Sequence, residues 1–376
     1  MKRINVLFVM LQMKMGGAER LIHNLISKID RSLFNPSVAW FIGEHPLNEF
    51  QDLEIPLYFI PKIKSIDFAA MRKLASIIQK HNIHIVNAHH FMPFVYSYYG
   101  SKVRGRAKLI YTEHSEWEIE KTSLFWMKMG HYLLNYADGA VGVSKAVARQ
   151  IRFKFNLEES KAIIIYNGVN IDDAGKKDDI NDVRTSLKIE SNDKVIGIVA
   201  NYRKNKNHIF LLRAFNELLK HYSNVKLLLI GQGFVGDPEN SESEIIQFIA
   251  DQNLSSKVFV LGYRSNVPEL LRVMDIFCLI SFKEGLPLGL IEAMASGLPV
   301  IGTNVEGIQD IIMPNKNGLL VRIGDVEGLK TALLTLIQNE SLMHRMGLES
   351  KKLVADNYSL KHCIKQYQDL FMDVMD

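Results

Sequence analysis

The sequence predicts an α/β protein made of two Rossmann-like, doubly wound units in series. Three observations predict it. Apolar runs of strand length alternate with helix-length amphipathic segments through nearly the whole chain, which implies a parallel sheet covered by helices on both faces. The chain has 376 residues, room for roughly two to three domains at ~150 residues each. One polar stretch of low bulk, Asp172-Asp173-Ala174-Gly175-Lys176-Lys177-Asp178-Asp179, interrupts the alternation as an interdomain linker would.

The first half opens on a buried-strand run, Ile4–Met10, followed by Met15-Gly16-Gly17-Ala18-Glu19 and a helix over Arg20–Ile29, with Leu21, Ile22, Leu25, Ile26 and Ile29 at helical spacing. Strands are then predicted at Pro36–Ile42, Leu57–Ile60, Ile83–Asn87, Lys108–Thr112, Gly139–Val143 and Ala162–Tyr166. Helices are predicted at Phe68–His81, Phe94–Val103, Leu124–Tyr136 and Lys145–Phe155. After the linker come strands Val195–Ala200, Val225–Ile230, Val258–Leu261, Ile276–Ile280 and Pro299–Thr303. Between and after them lie helices His208–Tyr222, Ser243–Gln252, Val267–Met274, Leu288–Ser296 and Val326–Asn339. Leu360–Met375 reads as an amphipathic helix, and no repeat relates the halves. The predicted domains are 1–170 and 171–359. Ligands in such units sit at the carboxyl ends of the strands, and two units facing each other make a cleft suited to an active site.

Composition narrows the function. An apolar fraction of 47% supports a large core and excludes a mainly disordered chain. Two cysteines, Cys278 and Cys363, make no disulfide framework, and no Cys-x-x-Cys is present for zinc or redox work. Cys278 lies in the apolar run 276–280 and reads as a buried thiol of a cytoplasmic, reducing-compartment protein. The apolar run Val6–Leu11 is shorter than the ~7–15 residues of a secretory signal, and no stretch reaches the ~18 apolar residues of a membrane span. Charge is uneven: residues 1–170 hold 22 Lys and Arg against 14 Asp and Glu, a net of +8, and residues 171–376 hold 23 against 27, a net of −4. A basic first half suits nucleic acid or an anionic membrane leaflet, unless the charges never gather into a patch.

The chemistry concentrates in residues 281–300. An apolar strand ends near Ile280, Glu284 lies in the loop at its carboxyl end, Pro287 stands near the first helical position, and Gly297 closes the helix. Glu292 follows Glu284 by eight residues, in the body of that helix. A helix start attracts phosphate through its free N–H groups and dipole, and carboxylates accept hydrogen bonds from hydroxyls, so the arrangement suits a sugar nucleotide.

Glu284-x7-Glu292, framed by Glu-Gly-Leu-Pro and Glu-Ala-Met-Ala-x-Gly-Leu-Pro-Val, resembles the signature of family-four retaining glycosyltransferases of the GT-B fold (glycosyl transferases group 1). Gly16-Gly17-Ala18-Glu19 resembles the family's first glycine loop, Tyr111-Thr112-Glu113-His114 its active-site histidine strand end, and Ile230-Gly231-Gln232-Gly233 its second glycine loop. Val143-Ser144 and Asn167-Gly168-Val169 resemble its domain-crossing landmarks. The resemblance covers essentially the whole chain, in order.

It implies roles. Glu292 would bind the donor ribose and Glu284 the transferred sugar. Main-chain groups of Gly285, Leu286, Pro287 and Leu288, with Gly231, would hold sugar and diphosphate. Gly16 and Gly17 would let backbone approach the phosphate without a Cβ in the way. His114 would orient the sugar at the anomeric centre. The departing diphosphate needs cations, and Lys206 and Arg203 follow the strand Val195–Ala200. The family more often has an arginine five residues before the lysine, where this chain has Asn201. Glu306-Gly307 stands where a glycine pair is common and Asp310 where glutamate is common, which bears on the donor-sugar contacts. No Asp-x-Asp lies at a strand end in a form that suggests Mg²⁺, so no metal or other cofactor is expected. The C-terminal helix, 360–376, would pack back on the first domain.

The implied activity is transfer of a hexose or N-acetylhexosamine, with retention, from a UDP-sugar to a glycan or lipid-linked acceptor in surface polysaccharide assembly. The setting is cytoplasmic, at the inner face of the membrane, with no nucleic acid partner. A nucleotide-sugar 2-epimerase on the same fold and a non-catalytic nucleotide-sugar-binding subunit are the alternatives. Gly231-x-Gly233-x-x-Gly236 also matches a dinucleotide fingerprint, but Asp237-Pro238 follows where a helix should run and the next strand ends without a ribose-binding acid. Adjacent His89 and His90 could ligate metal or touch substrate; they point apart on a regular strand, which argues against a shared metal, and a structural or cleft-lining role and direct acceptor binding both stay open. Trp117–Tyr136 reads either as an interfacial helix or as a core helix, and the core reading is preferred. Removing Glu284 or Lys206 is expected to abolish transfer and leave the unfolding midpoint nearly unchanged.

Overall fold

The computed structural model describes residues 3–13, 16–43, 45–63, 66–115, 119, 123–171 and 180–376. The predicted linker Asp172–Asp179, and Met15 and Trp117, lie outside the described residues. The chain divides into two compact units: Met1–Gly168 with Leu360–Asp376, and Val169–Ser359.

In the first unit the order is β1 (Ile4–Gln12), α1 (Gly17–Lys28), β2 (Phe34–Ile42), α2 (Asn48–Gln51), β3 (Leu57–Phe59), α3 (Phe68–Lys80), β4 (Ile85–His89) and α4 (Phe91–Tyr98). There follow β5 (Lys108–Glu113), α5 (Leu124–Asn135), β6 (Gly139–Gly142), α6 (Lys145–Phe155) and β7 (Ala162–Ile164). The second unit holds α7 (Ile180–Ser186), β8 (Lys194–Val199), α8 (His208–Leu219), β9 (Val225–Ile230), α9 (Glu242–Asp251), β10 (Val258–Val260), α10 (Val267–Val273) and β11 (Ile276–Leu279). It continues with α11 (Leu288–Ala295), β12 (Val300–Thr303), β13 (Gly318–Val321), α12 (Val326–Ile337) and α13 (Glu340–Asn357). The last helix, α14 (Leu360–Asp373), belongs to the first unit.

The sheets run β3-β2-β1-β4-β5-β6-β7 and β10-β9-β8-β11-β12-β13, and their strand pairs are parallel. Each order reverses once, between β1 and β4 and between β8 and β11. A reversal of this kind leaves a crevice at the carboxyl edge where no crossover helix covers the strand ends.

Parallel strands are buried on both faces, so they read as continuous apolar runs: Val6–Met10 of β1 and Ile276–Leu279 of β11 are all buried. In the first unit the core joins Phe8, Leu25 and Phe34 to Leu360, Cys363, Ile364, Tyr367 and Phe371 of α14. The Phe371 ring stands edge-on to Phe8 at 6.1 Å and to Phe34 at 5.9 Å. Where the second unit begins and ends, Val169 N donates to Tyr358 O at 2.9 Å.

The structure corrects several expectations. Helix α4 starts at Phe91 rather than Phe94, and its continuation, Tyr99–Val103, is a π-turn. Helix α13 escapes sequence reading because its buried residues include Gly347 and Ser350 beside Met343, Met346 and Val354, so the apolar stripe is broken. Strand β13 is only four residues long and begins with glycine. The preferred core reading of the helix at 124–136 does not hold. Helix α5 buries only Gly130, Leu133 and Leu134, and leaves Leu124 (76% exposed), Phe125 and Tyr132 on the surface.

Candidate active site

In the second unit, two loops leave the carboxyl ends of β8 and β11, the strands that flank the reversal of order. The loop after β8 tightens into a 3-10 turn at Lys204–Lys206, and Asn207, in the left-handed region at φ 55°, starts α8. The loop after β11 carries Ser281 to Pro287. Main-chain and amide hydrogen bonds lace the two loops together: Phe282 N donates to Asn205 O at 2.9 Å and Asn205 Nδ2 to Lys283 O at 3.1 Å.

That lacing sets the distance between the charges. Lys206 Nζ lies 2.6 Å from Glu284 Oε1. The same oxygen accepts the Ser281 hydroxyl at 2.5 Å. Ser281 is itself held, its carbonyl accepting from Thr303 Oγ1 at the end of β12 at 2.6 Å. Glu284 Oε2 takes no hydrogen bond from the described residues. Glu284 is 8% exposed, so its carboxylate is a fixed acceptor with one oxygen committed and one available.

Gly307 supports this loop. Its φ is +83°, and a Cβ there would sit 2.3 Å from the Glu284 carbonyl oxygen, so only glycine fits. Gly231 is likewise demanded by the chain, since its Cβ would stand 1.9 Å from Ala200 O. Pro287 is the N-cap of α11 rather than its first helical residue, and no side chain caps that helix start. Gly285, Leu286 and Leu288 are partly buried around it. Glu292 is partly buried in mid-helix and has an interaction of its own.

Arg203 is engaged elsewhere: its Nε lies 2.9 Å from Asp237 Oδ2. His208, at the start of α8, is buried, and burial followed by the charge of Lys206 pushes its imidazole down to about 3.

In the first unit the reversal lies between β1 and β4. Gly16 caps α1 after β1, at φ −141°, and Gly17 opens the helix. Among the described residues a Cβ at Gly17 would meet nothing within 4 Å. After β4 and β5, three histidines gather. His89 Nδ1 lies 2.8 Å from His114 Nε2, with the rings stacked at 5.1 Å. His90 is also 5.1 Å from His114, ring to ring, and its Nδ1 is 2.9 Å from Glu113 Oε1.

The expectation that His89 and His90 point apart fails because the strand ends between them. His90 takes φ 72° and caps α4, which turns its ring back toward β5. Glu113 is buried and organises the cluster, accepting the Tyr111 hydroxyl at 2.6 Å and the main-chain N–H of His114 at 2.8 Å and of Ser115 at 3.2 Å. Burial first, then His90, holds His89 and His114 well below the ordinary imidazole range. Both are therefore neutral near pH 7, and one donates to the other. His89 Nε2 and His114 Nδ1 are buried and have no hydrogen-bond partner among the described residues, so His114 keeps one polar ring atom uncommitted.

Sequence reasoning missed Ser281, Thr303 and Glu113. Glu113 had a legible signal, a carboxylate inside an otherwise uncharged strand end. Thr303 had none, because its partner, the Ser281 carbonyl, follows a different strand, and a serine three residues before Glu284 does not by itself show that it binds it. Among the described residues, no group of three or more His, Cys, Asp or Glu is placed to hold a metal ion.

Two Rossmann-like units in one chain, each presenting polar side chains at its own point of strand reversal, define the GT-B class of glycosyltransferases. Residues 179–353 match the family model described as Glycosyl transferases group 1, and residues 15–173 match Glycosyltransferase Family 4. The chain belongs to this glycosyltransferase family. It is 26% identical to the N-acetyl-alpha-D-glucosaminyl L-malate synthase of Bacillus anthracis, over 88% of this chain and 85% of that one. It is 21% identical to the UDP-Gal:alpha-D-GlcNAc-diphosphoundecaprenol alpha-1,3-galactosyltransferase of Escherichia coli, over 88% and 87%. The fold matches that of Anabaena HepE, crystallised with UDP and glucose, at a TM-score of 0.86 and 20% identity, over 98% of this chain and all of that one.

Proposed function

We propose that the protein transfers a hexose or N-acetylhexosamine, with retention and without a metal, from a UDP-sugar to a glycan or lipid-linked saccharide in surface polysaccharide assembly. The setting is the cytoplasmic side of the membrane. The observation that carries this reading is the Lys206–Glu284 pair at the strand reversal of the second unit. Lys206 supplies positive charge for the leaving diphosphate, and Glu284 presents Oε2 to a sugar hydroxyl. Glu292 takes the ribose, and the uncapped start of α11, with Gly285 to Leu288, takes the diphosphate. Gly17, where a Cβ would meet nothing among the described residues, admits a phosphate close to the backbone. His114 offers Nδ1 to the transferred sugar. Arg203 stabilises the diphosphate only after leaving Asp237.

A donor aimed at charge that develops during reaction contributes ~3–4 kcal/mol, on the order of a hundredfold or more in rate. The name of the Escherichia coli relative supports a sugar donor of the UDP class and a lipid-diphosphate acceptor, whereas that of the Bacillus anthracis relative names L-malate. A thermal-shift panel of UDP, UDP-glucose, UDP-galactose, UDP-N-acetylglucosamine and GDP-mannose tests the donor. A UDP-sugar at a hundred times its dissociation constant should add ~2.7 kcal/mol of stability, and the binder should be hydrolysed slowly or transferred with its anomeric configuration kept. Release of an epimerised sugar without acceptor, or binding with no turnover, would replace the transferase reading.

A further inference from the structure

The contact between His89 and His114 leaves the place of one proton open, and that place determines what His114 can do to a ligand. His89 ends β4 and stands opposite Thr112 of β5, and His114 follows β5 by one residue. The ring planes differ by 25°, and His89 Nδ1 lies 2.8 Å from His114 Nε2. Glu113 keeps the second ring in place, since its Oε1 accepts the main-chain N–H of His114 at 2.8 Å and of Ser115 at 3.2 Å.

A neutral imidazole carries one N–H and one bare nitrogen. Burial holds both rings neutral, so the pair has two protons for four nitrogens. One proton fills the shared hydrogen bond. The other sits on an outer atom, either His89 Nε2 or His114 Nδ1. In the first case both rings are protonated on Nε2, and in the second both on Nδ1.

The surroundings separate the two cases. Neither outer atom has a hydrogen-bond partner among the described residues. His89 is fully buried, with its ring 6.1 Å from that of Phe8, a member of the apolar core. An N–H on His89 Nε2 would be orphaned there, and orphaned buried N–H groups are rarer than orphaned acceptors. His114 is partly exposed, so a small shift of its ring brings an N–H on Nδ1 to water or to a ligand.

We infer that His89 is a positioning residue: it donates Nδ1–H to His114 Nε2 and thereby fixes the His114 proton on Nδ1. The hydrogen bond made by one ring nitrogen sets what the other nitrogen carries. His114 is then a hydrogen-bond donor to a ligand oxygen and is neither a base nor a nucleophile, because His89 occupies its lone pair. The pair relays no proton either, since His89 Nε2 has no partner among the described residues to exchange one with. That the oxygen belongs to the transferred sugar rests on the proposed function; the place of the proton does not.

The test is long-range proton–nitrogen NMR of the full chain, labelled with nitrogen-15 at histidine, at neutral pH and without substrate. Signals are assigned by their loss in His89→Asn and His114→Asn. Both rings should be protonated on Nδ1 and bare on Nε2. Protonation of both on Nε2, or an imidazolium at either, would overturn the inference. The second measurement is turnover of the UDP-sugar that gives the largest thermal shift. His89→Asn keeps an N–H near the Nδ1 position and should stay within about threefold of the parent, whereas His89→Phe removes it and should lose about tenfold in kcat at nearly unchanged KM. Equal losses in the two variants, or full turnover in His89→Phe, would reduce His89 to a packing residue and overturn its positioning role. The proton positions are read on the parent chain, so the inference can fail even where His89→Phe does not fold. Failure to bind or turn over any UDP-sugar counts against the transferase reading alone, and the nitrogen signals still decide the tautomer.

Discussion

Lys206 and Glu284 are a coupled pair rather than two independent groups, and this changes what each does for the protein. Glu284 is almost fully buried, with Lys206 and Ser281 on one oxygen. Taking away one member of a buried pair leaves the other charge without its counter-ion. The expectation that either residue can be removed with little effect on stability is therefore withdrawn. Lys206→Met should cost about 2–3 kcal/mol of folding stability and at least about a hundredfold in turnover. Glu284→Gln keeps the Ser281 contact and should cost less stability but as much turnover. The double variant separates the two effects: its unfolding midpoint should recover toward the parent while turnover stays low. Purely additive losses in both measurements would show that the pair has no joint role.

At the scale of elements, α14 is the helix most consequential for its distance in sequence. It supplies Tyr367 and Phe371, both fully buried, to a core built otherwise from the first half of the chain. Phe371→Ala leaves a cavity between β1 and β2 and should cost about 3–5 kcal/mol in denaturant unfolding. Phe153→Ala on exposed α6 removes no buried contact and should stay within about 0.5 kcal/mol of the parent. Similar losses for both would mean that α14 does not complete the core. The elements legible in sequence were those with unbroken apolar runs, such as β1, β9 and β11. Helix α13 was not, since small residues let it pack closely without an apolar stripe, and α5 was misjudged because an apolar composition does not say which face is covered.

At the scale of the whole molecule, three buried imidazoles make stability pH-dependent. His89 and His114 are held well below the ordinary range and His208 down to about 3, burial being the first cause in each. Above about pH 7 these groups are neutral in folded and unfolded chains alike and contribute nothing to the pH dependence. As pH falls below the unfolded value of about 6.5, the unfolded chain binds protons that the folded one refuses, so stability is lost at about 1.4 kcal/mol per pH unit per group. The unfolding midpoint should fall steadily from pH 6.5 to pH 5. His208→Phe should make that fall shallower, and an unchanged acid limb would remove His208 from the cause.

The sequence alone determined the parallel α/β architecture, the order of the strands along the chain and the family, because these rest on local apolar periodicity and on short motifs whose spacing survives without coordinates. The Glu284 loop and the histidine strand end were readable for the same reason. The tertiary structure alone decided that Lys206 meets Glu284, that Arg203 meets Asp237, that Glu113 holds His90 and His114 while His114 meets His89, and that α5 and α6 leave aromatic side chains uncovered. Each of those facts depends on which strand ends lie side by side, and adjacency in a sheet whose strand order reverses is set by the packing of the whole unit rather than by neighbours in the chain.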